Sequence, residues 1–296
     1  MKKTHKSAFI NIIGKPNVGK SSLVNFFMGR KISITSPKAQ TTRHRIFSIL
    51  NDDNYQLVFS DLPGIITPKN KLHKSMMKFI SGSYSDADII LFVIDSSKDD
   101  FFDNDLIDKL KSLDIPIIIV LNKIDLIDNI ILDQIVEKFG SIFNNSLIFP
   151  ISITNPFNLN NLLDKIIELS PEGNSYFSKD QITDKSERFF VNEIIREKIL
   201  NHYNKEIPYS VEVETTSFKS SSKIIKIESQ IYVERSSQKG ILIGHKGNNL
   251  KIIGTKARTD LEEFFQKKVF IDLKVKVLKN WKSEDKHLKR FGYDLG

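Results

Sequence analysis

The sequence predicts an α/β domain with a mostly parallel sheet and helices on both faces, followed by a smaller α+β domain. Three observations lead there. Short β-branched runs alternate with longer helical patterns over residues 8–169, the order expected of βαβ units. The strand-like runs are continuously apolar, as in AFINII and IILFVI, which suits a sheet buried on both faces. The order then changes after Ser170-Pro-Glu-Gly-Asn-Ser175, a turn-rich break. A length of 296 residues accommodates two such domains.

Each element is placed by its pattern. Ala8–Ile13 is a buried strand, and Ser21–Met28 a helix after a glycine-rich loop. Tyr55–Phe59 is a strand that leads to Asp61. Lys71–Tyr84 is helical, with apolar residues at Leu72, Met76, Met77, Phe79 and Ile80. Strands are predicted at Ile89–Ile94, Ile117–Leu121 and Leu147–Ile151, and helices at Asp105–Leu113, Leu132–Phe139 and Leu159–Leu169. Residues 1–172 therefore read as the first domain. Residues 173–186 read as a linker, with loose packing expected from about Pro171 on, and 187–296 as the second domain. There, Glu187–Tyr203 is a helix, Tyr209–Glu214 and Lys223–Glu234 are strands, Gly247–Gln266 is a helix and Val269–Leu278 a strand. A terminal helix is predicted within Trp281–Phe291.

Composition narrows the chemistry. The chain has no cysteine, so disulfides, thiolate metal sites and a cysteine nucleophile are excluded. Its six histidines show no metal-ligand spacing. The basic-then-apolar start, MKKTHKSAFINIIG, is too short for a signal segment. No run approaches the length of a membrane span, so a soluble cytoplasmic protein is expected. Net charge is +8, unevenly spread: residues 1–185 hold 22 Lys+Arg against 21 Asp+Glu, and residues 186–296 hold 22 against 15. A polyanion partner for the second domain is the reading of that asymmetry.

Gly14-Lys-Pro-Asn-Val-Gly-Lys20-Ser21 fits GxxxxGK[ST] between a strand and a helix. Backbone N–H groups of such a loop face phosphate oxygens, and the helix dipole adds to the attraction. Gly14, Asn17, Val18, Gly19, Lys20, Ser21 and Ser22 are the expected phosphate contacts. Lys20 reaches the terminal phosphates, and Ser21 ligates Mg²⁺. Asn122-Lys123-Ile124-Asp125 follows a strand about a hundred residues on. A carboxylate there accepts the N1–H and N2–H₂ donors of guanine, which adenine lacks. Asp125 takes that role, Lys123 covers the base, and Asn122 ties the two loops together. Asp61-Leu-Pro-Gly64 ends another strand. Asp61 holds Mg²⁺ through water, and the Gly64 N–H senses the γ-phosphate. Upstream, Ser36–Arg43 is a polar loop in which Thr42, ahead of Thr41, reaches the metal and the γ-phosphate. Ser152 and Ile153 offer backbone N–H groups to the base. Lys20, Thr42 and Gly64 are the catalytic candidates. GTP or GDP with Mg²⁺ is the expected ligand set.

GKPNVGKS, QTTR, DLPG, NKID and SIT, in this order, resemble the translation-factor-related GTPases of bacteria. A second signature lies near the C-terminus. Gly240–Ile243 is a strand-like apolar run, and Gly244-His245-Lys246-Gly247 leads into a helix. This matches the KH pattern, in which two glycines let a turn approach the sugar-phosphate backbone and an apolar groove holds unstacked bases. With this type II KH end, the chain resembles the Era family of ribosome-assembly GTPases over essentially its whole length. Leu62 stands where that family usually has Thr, and SIT where it has SAL or SAK. Gly244, His245, Lys246 and Gly247, flanked by Lys239, Lys251, Lys256 and Arg258, are the expected RNA contacts. Leu250, Ile253, Leu261 and Phe264 read as core, and Trp281 and Phe218 more as packing residues than as base platforms.

The resemblance implies a phosphate-loop GTPase domain joined to a KH-type domain. It further implies binding to single-stranded 16S rRNA near its 3′ end on the small (30S) subunit. Asn17 resembles the asparagine that coordinates K⁺ in related GTPases. The residue after DxxG is Ile65, where Ras-like enzymes carry a water-positioning Gln, so slow intrinsic hydrolysis is expected. The alternative is an RNA-binding module whose nucleotide domain senses GTP and GDP with little turnover. The protein is expected as a monomer, and a peripheral association with the inner membrane stays open.

Overall fold

The computed structural model describes residues 4–98, 104–144 and 146–293; the basic start at residues 1–3 lies outside them. The chain divides into two compact units. One runs up to Thr67 and resumes over Met76–Asp184; the other holds Pro68–Ser75 and the chain from Lys185 on.

The first unit begins with β1 (Lys6–Ile13), α1 (Lys20–Met28), β2 (Ile46–Asn51), β3 (Tyr55–Asp61) and α2 (Lys71–Ser83), of which the residues up to Ser75 are assigned to the second unit. It continues through β4 (Ile89–Asp95), α3 (Asn104–Lys111), β5 (Ile117–Asn122), α4 (Asn129–Ile142), β6 (Leu147–Pro150) and α5 (Leu159–Leu169). Six strands lie in the order β2-β3-β1-β4-β5-β6. All neighbours are parallel except β2 and β3. Strand alternation sorts the apolar runs onto two faces. Leu91, Val93, Ile118 and Val120 pack with Leu23, Val24, Leu162 and Ile166 of α1 and α5. Ile90, Phe92, Ile119 and Leu121 pack with Ile80, Leu110, Ile135 and Phe139 on the other side.

Two features depart from the sequence reading. Strand β2 is new; it pairs antiparallel with β3 from Ile46 opposite Asp61 to Asn51 opposite Gln56. The segment expected to pack loosely is fixed to the sheet edge. Gly173 N donates to His5 O, and Ile49 N to Ile182 O, both at 3.0 Å. The Gln56 side chain bonds Tyr176 N, Phe177 N and Phe177 O. The Tyr176 ring lies 4.7 Å from that of Phe9. Turn residues here satisfy edge backbone groups that would otherwise face water.

In the second unit, α6 (Glu187–His202) and α7 (Ile207–Ser210) precede β7 (Glu212–Ser220) and β8 (Ile224–Val233). Then come α8 (Ser236–Ile243), a 3₁₀ turn at His245–Gly247, α9 (Asn248–Phe265), β9 (Lys268–Val277) and α10 (Asp285–Arg290). The sheet order is β7-β8-β9, antiparallel then parallel. Ile195, Ile199, Ile227, Ile253 and Leu261 are among its core residues. The strand-like reading of Gly240–Ile243 is corrected: this run is the last turn of α8, whose C-cap is Gly244. The terminal helix is shorter than predicted, and Trp281 is fully buried, its indole N–H donating to Ser210 O at 3.0 Å. Phe218 packs on the same core, 5.7 Å from Phe265.

Candidate nucleotide site and nucleic-acid interface

The first site forms where β1, β3, β4 and β5 end, around a cleft of about 280 Å³ bordered by Gly19, Lys20, Ser21, Thr42, Gly64 and Lys123. Gly19 caps α1 at φ +105°, and a Cβ there would lie 2.2 Å from Asn122 Nδ2. Only glycine allows both that conformation and that approach. The first N–H groups of an α-helix lack intrahelical partners, and Lys20, Ser21 and Ser22 of the first turn of α1 border the cleft.

Lys20 Nζ donates to Gly14 O (3.1 Å) and Lys15 O (2.9 Å). Burial lowers its pKa from 10.5 to about 8, with the Asp61 carboxylate pulling the other way. Ser21 Oγ lies 2.7 Å from Asp61 Oδ2 and 3.0 Å from Thr42 Oγ1. Thr41 instead donates to Lys38 O, so the structure brings Thr42, not Thr41, to this cluster. The other Asp61 oxygen is buried without a hydrogen-bond partner, and burial pushes the carboxyl above its usual range. Two hydroxyls beside an under-satisfied buried carboxylate are a hard oxygen donor set. They suit Mg²⁺, which keeps waters and takes few protein ligands. Among the described residues no cluster of three acidic or histidine side chains forms a complete metal cage.

Gly64 lies against the phosphate loop: a Cβ on it would be 2.6 Å from Pro16 N. Ile65 N donates to Gly14 O at 3.1 Å, and its side chain packs on the core. Asn17, at φ 65°, donates from its side chain to Pro37 O at 2.6 Å, linking the phosphate loop to the Ser36–Arg43 loop.

At the base end, Asn122 Nδ2 donates to Val18 O at 2.7 Å, the tie between loops expected of it. Asp125 accepts from Ser152 Oγ at 2.6 Å. Ser152 therefore fixes the carboxylate with its side chain, but its N–H, expected to face the base, donates to Phe157 O at 3.4 Å. Ile153 borders Gly19. The sequence reading missed Asp95. It stands opposite Asn122 in the β4–β5 register, and its Oδ2 is 2.6 Å from Lys123 Nζ. Burial opposes its ionisation, yet Lys123 and Ser97 hold it below the usual carboxylate range. Lys123 Nζ also donates to Asn17 O at 2.9 Å. An acidic residue closing an apolar strand was the available signal.

The second site is a groove of about 330 Å³ between α9 and β9, bordered by Gly247, Leu250, Lys251, Arg258 and Phe270. Gly244 and Gly247 both have positive φ (73° and 79°), so the Gly244–Gly247 turn takes a shape that side chains disfavour. Gly247, Lys251 and Arg258 share one face of α9. Lys256 does not border the groove; at 100° per residue it sits about 160° from Arg258. Leu250, read as core, packs half-buried against the core and also borders the groove. Lys239 lies on α8, ahead of the turn.

The family models agree with this division. The model described as "50S ribosome-binding GTPase" matches residues 9–123, and a KH domain model matches residues 206–282. GTPase Era of Clostridium kluyveri is 44% identical over 293 residues, covering 97% of this chain and 99% of its own. The chain belongs to the Era family of GTPases. GTPase Era of Thermoanaerobacter sp. strain X514 is 43% identical over 98% of the chain and 97% of its own length. Among solved structures, Era in complex with MgGDPNP and nucleotides 1506–1542 of 16S ribosomal RNA aligns at TM-score 0.91. It is 37% identical, with 98% of this chain and 99% of that one covered. A single-residue variant of Aquifex aeolicus Era bound to GDP·AlF₄⁻ aligns at 0.90, also 37% identical, covering 97% and 99%. The Era-family reading of the sequence, with its GTPase activity and its GTP, GDP and Mg²⁺ ligands, stands.

Proposed function

We propose that this Era-family GTPase is a switch that binds single-stranded RNA, in the region of the small-subunit 16S rRNA 3′ end, and assists small-subunit assembly. Residues 1–172 serve as its GTPase domain and 187–296 as its KH-type domain. The observation that carries the switch is the contact of Thr42 with Ser21 beside Asp61. It joins a polar loop to the residues that would hold the metal. A crystal structure of an Era with a GTP analogue and 16S rRNA supports the choice of RNA.

Ser21, Thr42 and, through water, Asp61 would hold Mg²⁺, which supplies charge neutralisation at the phosphates. The α1 N-terminus and Lys20 bind the phosphates, Gly64 reports the γ-phosphate through its N–H, and Asp125 selects guanine. Because Ile65 packs on the core, its side chain places no water, and hydrolysis without a partner is slow. Asn17 is the K⁺ ligand of this reading, the cation supplying charge that an arginine gives elsewhere. Phosphate release is then several-fold faster in KCl than in NaCl at equal ionic strength; equal rates remove K⁺ from the account. The packed Ile65 also favours the second reading, a nucleotide sensor with little turnover. Among the described residues no helix is long and apolar enough to cross a membrane. Trp281, the single tryptophan of the sequence, is buried, which favours RNA over lipid as the partner of the basic domain. A cytoplasmic monomer completes the reading.

The direct test of the nucleotide site is competition for labelled GTP with Mg²⁺ present. GDP in excess displaces the label and ATP does not; equal displacement by ATP sinks the role of Asp125. pH gives a second check. In the nucleotide-free fold Lys20 releases its proton near pH 8 rather than 10.5, and a bound phosphate restores it. GTP binding therefore takes up a proton above pH 8, and affinity falls by up to tenfold per pH unit. For Lys20 alone, the unfolded chain holds more protons between pH 8 and 10.5. The nucleotide-free fold gains stability from this group as pH rises through that window. A flat affinity profile from pH 7 to 10 would contradict the assignment.

A further inference from the structure

Phe270 is 56% exposed on a strand whose other large apolar residues are at least half-buried. In β9 the buried Val269 and Val275 face the core, and Lys268, Phe270, Lys274 and Lys276 are exposed on the opposite face. Register places Lys226 of β8 beside Phe270, and Lys219 of β7 beside Lys226. Paired residues share a face, so Lys219, Lys226 and Phe270 form one row on the side of the sheet away from the core. All three are exposed. The next row, Ser217, Glu228 and Asp272, is acidic, and Lys274 is neutralised by Asp272 at 3.1 Å. The basic and aromatic strip is therefore confined to the end of the sheet near the β7–β8 turn.

Two lysines directly opposite one another repel and weaken a strand pair. An anion between them relieves that cost. An exposed ring beside them offers a π-face to any base. Phe270 also borders the α9–β9 groove, so the strip is continuous with the surface assigned to RNA.

We propose that Lys219, Lys226 and Phe270 form a second single-stranded RNA subsite on the open face of the sheet. A base leaving the groove stacks on Phe270, and its flanking phosphates meet the two lysines. The subsite rests on the RNA reading of the groove. It tolerates any base, because stacking and point charges carry no hydrogen-bond code, and it lengthens the bound segment beyond what the groove holds.

The test is titration of a labelled 12-nucleotide single-stranded RNA with the full chain and a non-hydrolysable GTP analogue, repeated over a salt series. Phe270→Ala and Phe270→Leu each weaken binding about tenfold. Phe270→Trp retains it, and its emission is quenched by RNA. Lys226→Gln lowers the slope of log affinity against log salt by about 0.7. Wild-type affinity in Phe270→Leu overturns the stacking role. Wild-type affinity in both Phe270→Ala and Phe270→Leu, alongside loss in Lys246→Glu, overturns the subsite alone. A wild-type chain that binds no RNA overturns the groove reading and the subsite with it.

Discussion

Asp125→Asn lowers GTP affinity about 100-fold and leaves the fold intact. In the proposed function the Asp125 carboxylate accepts two donors from the guanine edge. An amide in its place turns one acceptor into a donor that faces a donor, so a charge-assisted hydrogen bond is lost and a buried polar group is left unpaired. Ser152 Oγ, now 2.6 Å from Asp125 Oδ1, donates equally well to an amide oxygen, so the base loop keeps its shape. Xanthosine triphosphate carries a carbonyl where guanine carries its amino group, and it becomes the better ligand of the variant. Competition between the two nucleotides, with a thermal melt as control, checks this. Unchanged preference for GTP would mean that another group reads the base.

Lys246→Glu weakens RNA binding at least tenfold near 0.1 M salt and leaves GTP affinity within twofold. Lys246 sits in the turn between Gly244 and Gly247 at φ 49°, where a phosphate would come close to the backbone. Reversing its charge exchanges an attraction for a repulsion and flattens the salt dependence by one to two phosphate contacts, each worth about 0.7 in slope. The nucleotide cleft is built from other residues. Normal RNA binding across a salt series would show that the turn is only an entrance to α9.

These two sites were legible to different degrees. Most of the residues around the nucleotide cleft were named from the sequence, because GxxxxGKS, DLPG and NKID lie at the ends of the buried strands β1, β3 and β5. The strand positions followed from apolar runs such as Ile89–Ile94 and Ile117–Leu121. Asp95 escaped because its role exists only across the sheet, opposite Asn122. No local pattern marks a register. Strand β2 escaped for a related reason. Its mixed run IFSILN is short and follows a polar loop, and it becomes a strand through pairing with β3. Residues 171–184 have the composition of a linker, yet Gln56, His5 and Ile49 supply partners that composition does not reveal.

In the second domain the GxxG turn and α9 were visible, whereas the run before them was misread. Ile241 and Ile243 are β-type residues in isolation, but Gly240 and Ser236–Gln238 precede them in one helix that ends at Gly244. Helical phase also sorts the basic residues. Lys251 and Arg258 reach the groove and Lys256 does not, which counting charges could not show. Phe270 carried a usable sign, an aromatic on the polar phase of an alternating strand. Trp281, read as a packing residue, is held inside with its indole N–H bonded to Ser210 O.

In the proposed function one chain couples GTP turnover to single-stranded RNA. Phosphate release under multiple turnover, followed with and without a 16S 3′-end oligonucleotide in KCl and Mg²⁺, tests it most directly. Slow release is expected to continue well past one phosphate per protein, at a rate that RNA changes and Lys246→Glu makes insensitive to RNA. Release that stops at or below one equivalent, with RNA or without it, would contradict a hydrolytic switch and leave a nucleotide sensor.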